Sequence, residues 1–167
     1  MERDSASALR NWAQSIEEAW GIAIGFTDEG AFMLETTAGA LVGIEPVPEQ
    51  QALVLTAVLG ELDADTPLRL YQALLALNLQ PALSGSGCVG VDHQSQTILL
   101  RLIWSPAEPQ WSKDGLLQLL AAFGSHVDQL TQAIASREIE SILVRADEAA
   151  ALPRRLQVAN LTEAGQP

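Results

Sequence analysis

The sequence predicts an α+β fold: an antiparallel twisted sheet of about five strands packed by three helices, in the order α-β-β-β-α-β-β-α. Three observations predict it. Apolar residues recur at helical spacing in three separated windows. They alternate with polar or small residues in the short windows between. One connection between strands carries a helix and the rest are turn-length, which favours antiparallel pairing with helices laid on the sheet.

Residues 5–20 form the first helical window. Leu9, Trp12, Ala13, Ile16 and Trp20 share one face, while Arg10, Gln14, Glu17 and Glu18 turn away. Asp4 or Ser5 can cap its start and Gly21 suits its end. Strand-like alternation follows at Ile22, Ile24 and Phe26, then a turn over residues 27–30, then residues 31–36 with Phe32 and Leu34 on one face. Residues 41–45 predict a further short strand, closed by Pro46 and Pro48, which cannot donate to a ladder. Residues 51–62 predict the longest strand, with Leu53, Leu55, Ala57 and Leu59 on one face and Val54, Thr56 and Val58 on the other. Both faces are apolar enough to predict a central strand covered on both sides.

Thr66-Pro67 opens the second helix, threonine as cap and proline at the first helical position, running to about Asn78. It carries two apolar stripes: Leu68, Tyr71 and Leu75, and Leu70, Leu74 and Leu77. Such a helix has two things to cover. One is its own sheet; the other is either a second copy of the chain or further core. Residues 88–92 and 97–104 predict a hairpin around the polar loop 93–96. Ser112 caps the third helix, whose seam Leu116, Leu120, Phe123, Val127, Leu130 and Ile134 steps by four and three residues. Beyond Arg137 the pattern weakens. Ile139, Ile142 and Leu143 can prolong the helix, residues 147–152 are helix-compatible, and the last residues read as a mobile tail. The expected organisation is one domain over residues 1–140 and a C-terminal extension over 141–167.

Bulk composition narrows the function classes. A chain of 167 residues buries roughly 70% of its unfolded surface as one domain, enough for a core. The 21 acidic residues outnumber 9 basic ones, a net charge of −12. That argues against phosphate-backbone binding and against anionic membrane surfaces. It fits solubility through self-repulsion, or a protein that stays soluble while showing apolar surface to a partner. The apolar runs fall short of the ~18–20 residues a membrane span needs. The N-terminus has no secretory signal. The single cysteine makes no internal disulfide, so a reducing cytoplasm is expected.

The stretch GSGCVGVDHQSQTILLRL, residues 85–102, gathers Cys88, Asp92 and His93. These are the residue types of a thiol catalyst. Adjacent Asp92 and His93 at a strand end diverge, however, and no helix N-terminus lowers the pKa of Cys88, which reads instead as a small buried filler. His126 reads as a helix-flank residue. Two histidines and one cysteine, all apart, have no metal-ligand spacing. Gly85-Ser86-Gly87 is not a phosphate loop, since no Lys and no helix follow. No enzyme activity, cofactor or metal is expected.

Residues 70–104 resemble the centre of the class I type III secretion chaperones, the Tir-chaperone (CesT-like) family. The pattern is a leucine-rich helix with Leu74, Leu75, Leu77, Asn78 and Leu79, then Gly87, then an apolar strand with Val89, Val91 and Asp92. A polar turn and the strand Ile98, Leu100, Leu102 complete it. The resemblance in element order runs from Ser5 to about Arg137. It implies a homodimer in a bacterial cytoplasm that holds the N-terminal segment of a secreted effector extended and secretion-competent. On this reading Ile22, Ile24, Phe26, Phe32 and Leu34 face the effector, and Leu70, Tyr71, Leu74, Leu77 and Trp104 face the second copy. The rival expectation is a small α+β scaffold or regulator domain that binds a folded partner.

Overall fold

In the computed structural model, residues 4–63, 65–80, 84–136 and 138 are described. The first helix, α1 (Ser5–Trp20), starts where Asp4 accepts hydrogen bonds from the N–H groups of Ala6 (3.1 Å) and Ser7 (3.3 Å). These satisfy donors that no helical carbonyl reaches. It ends at Gly21, whose φ of 66° is the left-handed conformation glycine adopts without a Cβ penalty. Leu9, Ala13 and Ile16 are buried along one face. Ser5 is buried too, and its hydroxyl donates to the Val47 carbonyl at 2.7 Å, fixing the helix start beside the sheet.

Five strands follow the predicted order: β1 (Phe32–Glu35), β2 (Leu41–Pro46), β3 (Leu53–Glu61), then β4 (Cys88–Asp92) and β5 (Thr97–Trp104). They pair antiparallel throughout, in the spatial order β1-β2-β3-β5-β4. Between β3 and β4 comes α2 (Leu68–Leu77), and α3 (Lys113–Ala135) closes the chain's described fold. The register aligns Phe32 with Ile44, Ile44 with Leu55, Leu55 with Leu102, and Ala57 with Leu100. Period-two alternation therefore collects these side chains on one face. The helices pack there, and Leu9, Ile16, Ala73, Leu74, Leu77, Leu116, Phe123 and Val127 join them in one core. Leu59 stays buried (1% exposed), and a register shift between Val58 and Gly60 brings Gly60 opposite the buried Ile98. Gly60 faces Ile134 of α3, a Cβ there lying 3.6 Å from its Cγ2.

The α3 seam is buried as its four-three spacing requires, at Leu116, Leu120, Phe123, Val127 and Leu130. Ser112 caps it by accepting from the Gly115 N–H at 3.2 Å. Beside it, Trp111 packs between Trp12 and Trp104, with ring centroids 5.2 and 5.1 Å away.

Three expectations are corrected. Residues 22–26 form no strand. The Ile24 N–H donates to Glu17 Oε1 (2.8 Å) rather than to a ladder, and Phe26 packs edge-on against Phe32. The segment is tied down by side chains, so its alternating pattern needs no strand partner. Secondly, β3 is central but its second face is only partly covered: Val54 there is buried, whereas Val58 is exposed, as are Met33, Leu41 and Ile103 of the other strands. All three helices are spent on the opposite face. Thirdly, α2 begins one residue late. Pro67 is its N-cap and brings no side-chain bond, because the Thr66 hydroxyl is engaged with Asp63, accepting from its N–H and donating to its carboxylate. The helical signals at Ile139, Ile142, Leu143 and over 147–152 lie outside the described residues.

Candidate binding groove and sheet edges

A groove of about 640 Å³ runs between the free side of β1, the end of α1 and the middle of α3. Trp20, Ile22, Leu34, Val42 and Leu120 supply its apolar lining. Trp20 and Ile22 are 41% and 39% exposed, so the groove mouth is apolar surface facing water. On the α3 side Ala121, Gly124 and Ser125 are small, which leaves the space open. The rim is polar: Glu35, Thr36, Thr37, Asp128, Gln129 and Gln132.

Asp128 locks one wall of this groove to the other. Its carboxylate accepts from the Thr36 hydroxyl through one oxygen and from the Ala38 N–H (3.3 Å) through the other. The β1–β2 turn is thus held against α3 by a residue ninety-two positions downstream of Thr36. The Thr36 oxygen in turn accepts from the Ala40 N–H at 3.0 Å, and the Thr36 N–H donates to the Ala40 carbonyl at 2.8 Å. In an antiparallel ladder main-chain groups alternate in direction. With Thr36 bonded inward to the hairpin, the main-chain groups of Met33 and Glu35 point outward from β1, beside the groove.

The opposite edge of the sheet is plugged at Val89. The Asn78 side chain, just past α2, donates from Nδ2 to the Val89 carbonyl (2.9 Å) and accepts the Val89 N–H on Oδ1 (2.7 Å). One amide side chain therefore occupies the position a neighbouring strand's peptide group would take. Beside it, the outward side of α2 and the residue following its cap are left uncovered. Leu68, Leu75 and Leu79 are 71%, 68% and 84% exposed. A smaller hollow of about 230 Å³ is lined by Tyr71, Leu74, Leu75, Val89, Gly90 and Val91. Within the single chain, the second helix is not wholly buried core.

The residues expected to face partners separate into two kinds. Ile22, Phe26, Ile24 and Leu34 are exposed or half-buried, and Ile22 and Leu34 line the groove. Phe32, in contrast, is 1% exposed and belongs to the core. Leu70 and Tyr71 are half-buried, whereas Leu74 and Leu77 are buried against the sheet. Trp104 stacks on Trp111 at the end of β5, beyond Arg101, where β4 begins its pairing. Sequence reasoning did not single out Trp20, Asp128 or Asn78 as site residues, nor Leu68 and Leu79 on the outward stripe of α2. Asn78 had one visible signal, a polar residue ending an otherwise apolar helix.

The stretch from Gly85 to Leu102 is a hairpin. Cys88 is exposed, not a buried filler, because it pairs with Arg101 on the uncovered face while its neighbour Val89 takes the inward position. Asp92 organises the turn: Ser95 Oγ donates to Oδ2 at 2.8 Å and the Gln94 N–H to Oδ1 at 3.0 Å. The Ser95 bond, then the Gln94 bond, hold the Asp92 carboxyl below its ordinary pKa. Gly85 sits on the ring of His126, where a Cβ would come within 2.9 Å of Cδ2. Among the described residues no group of three or more His, Cys, Asp or Glu is placed to hold a metal ion. No helix among them is long and apolar enough to cross a membrane.

Among the described residues, an antiparallel sheet with its helices on one face, an unobstructed β1 edge, an apolar groove beside it and an uncovered helical stripe is an architecture suited to binding protein segments. Sequence comparison makes the assignment specific: the family model of the Tir chaperone protein (CesT) family matches residues 11–133. The chain belongs to that family, the class I type III secretion chaperones. No curated protein matches by sequence. Among solved structures, the chain is similar to one in the HopA1–SchA chaperone–effector complex, at 18% identity and a TM-score of 0.60, covering 77% of this chain and 97% of that one. It is similar to a chain of the ExsC–ExsE complex at 16% identity and a TM-score of 0.62, covering 77% and 93%. It is also similar to a chain in the structure of the Yersinia pestis type III secretion chaperone SycH bound to a stable fragment of YscM2. There the identity is 22% and the TM-score 0.51, covering 75% and 98%. At these identities the likeness establishes the fold.

Proposed function

We propose that the protein is a cytoplasmic, homodimeric chaperone that holds the N-terminal segment of a type III secreted effector in extended form along β1, with apolar side chains in the adjacent groove. The observation that carries this reading is the coincidence of the open β1 edge with that groove, in a chain of this family.

Magnitudes explain why both features are needed. Fixing one residue of an unfolded segment costs about 1–2 kcal/mol of backbone entropy. A main-chain hydrogen bond returns a net 0.5–1.5 kcal/mol or so. Edge pairing alone therefore leaves an extended segment at best near balance. Burying one Leu- or Phe-sized side chain adds roughly 1.5–3 kcal/mol. Two or three such anchors against Trp20, Ile22 and Leu34 decide the outcome in favour of binding. Because main-chain pairing reads no side chains, selectivity falls to the groove.

A second copy of the chain is the proposed cover for Leu68, Tyr71, Leu75, Leu79 and Val91 on α2 and β4. Leu70 takes part at its margin, and Leu74 and Leu77 support the surface from beneath. The acidic surface, net −12, keeps the unoccupied dimer soluble despite its apolar areas.

Hydrogen exchange on a candidate effector, free and bound, tests the client half. The expected result is protection confined to one contiguous segment that is unprotected when free. An effector protected throughout in the free state would identify a folded partner and favour a scaffold or regulator. Light scattering tests the dimer half: twice the chain mass is expected, falling to one chain in Leu75→Asp. A monomer at micromolar concentration would refute it.

A further inference from the structure

We infer that the groove selects client segments carrying Lys or Arg beside their apolar anchors, and that Glu35 and Asp128 are the residues that recognise the cation. This deepens the proposed chaperone reading and rests on it.

The charge distribution around the groove carries the inference. Of the fourteen described residues that line it, the charged ones are Glu35 and Asp128, both acidic; none of the fourteen is Lys or Arg. The positive side chains elsewhere in the described fold do not line the groove: Arg10 lies beside Gly30, Arg101 is on the uncovered sheet face, Arg69 is in α2 and Lys113 begins α3. Asp128 uses one bond at each oxygen, to the Thr36 hydroxyl and the Ala38 N–H. A carboxylate has about four acceptor positions, so each oxygen keeps capacity for another donor. Those two bonds also fix the carboxylate in place, so a cation meets a preset acceptor. Glu35 is exposed at the end of β1, next to the outward-pointing main chain.

The remaining rim groups, Thr36, Thr37, Ser125, Gln129 and Gln132, are neutral. They neither neutralise the two carboxylates nor attract an acidic client. A segment bearing Asp or Glu at the same positions brings like charges together in a partly desolvated cleft, which is an effective means of rejecting the wrong partner. An extended segment alternates its side chains, so apolar anchors and flanking cations can be presented at once.

The test uses the full-length protein and three synthetic peptides with identical apolar positions, whose flanking positions are all Lys, all Ser or all Glu. Fluorescence anisotropy gives each affinity at low and physiological salt. The Lys peptide is expected to bind more tightly than the Glu peptide by roughly tenfold or more, the gap narrowing with salt. Glu35→Gln combined with Asp128→Asn should remove most of that gap, read as the ratio of Lys-peptide to Glu-peptide affinity within the same variant. Equal affinity for all three peptides overturns the charge inference and leaves the groove reading standing. A Lys preference undiminished in the double variant overturns the assignment to these residues and points to the chain's overall charge. Failure of every peptide to bind overturns the groove reading and this inference with it.

Discussion

The two edges of the sheet end in opposite ways. At β1 the main chain of Met33 and Glu35 points outward beside an apolar groove. At β4 the corresponding groups of Val89 are occupied by the Asn78 side chain, at 2.7 and 2.9 Å. An unguarded strand edge invites pairing with any extended chain, including another copy of itself. Plugging Val89 with a single amide obstructs pairing at that point of β4, whereas the outward main chain of β1 among the described residues is not obstructed in this way. On the proposed reading, the difference teaches that where a client pairs depends on which edge is left unobstructed as much as on what surrounds it.

That contrast can be broken most severely at β1. Met33→Pro removes an outward N–H from an edge position, where proline is tolerated by the sheet. Client affinity is expected to fall roughly tenfold or more, with the melting curve changed little. Retained affinity in an isothermal titration would show that the client does not pair with this strand. At β4 the expected effect is on stability. Asn78→Ala leaves the Val89 N–H and carbonyl without their amide partner, at a cost of roughly 1–3 kcal/mol in urea unfolding. It should also increase concentration-dependent association, which Asn78→Asp, retaining one acceptor, would do less. If neither variant associates, the amide is a structural tie and not an edge guard. The smallest effect concerns the β4–β5 turn. Asp92 should titrate below the ordinary Asp value of about 3.9. Its folded pKa is the lower one, so its contribution to stability is complete above the unfolded value and fades as pH falls through the folded value. NMR titration of the carboxyl carbon checks the sign, and Ser95→Ala should move the midpoint upward.

Where periodicity was strong and uninterrupted, the fold was legible in the residues themselves. The α3 seam from Leu116 to Leu130 is buried as its spacing demands, because four-three repetition has no other economical reading. The strand and helix order followed from alternation and turn chemistry, and the family resemblance followed from the segment around Asn78. Residues 22–26 show why pattern alone fails. Alternation of Ile22, Ile24 and Phe26 with small residues looks like a strand, but a strand exists only if a neighbour pairs with it, and Glu17 took the Ile24 N–H first. Cys88 was misplaced for a related reason. With Val89 and Val91 both apolar, the parity of the short strand is set by its register against Arg101 and Leu100, which is a tertiary fact. The partner-facing residues were half legible. Ile22 and Leu34 line the groove, but Phe32, Leu74 and Leu77 share its chemistry and are spent in the core. Hydrophobicity marks residues that avoid water without saying whether their own chain or another will cover them.

The distribution of tryptophan gives the chain a two-channel optical readout. Trp12, Trp104 and Trp111 lie within 5.2 Å of one another in sequence of contact, joining α1, β5 and the start of α3. Their coupled circular dichroism therefore reports whether those three elements are assembled. Trp20 lies at the groove mouth instead, 41% exposed. On the proposed reading, a client that displaces water from the groove shifts the emission of Trp20, which is not a member of the packed trio. Occupancy and folding can thus be followed separately in the unlabelled protein.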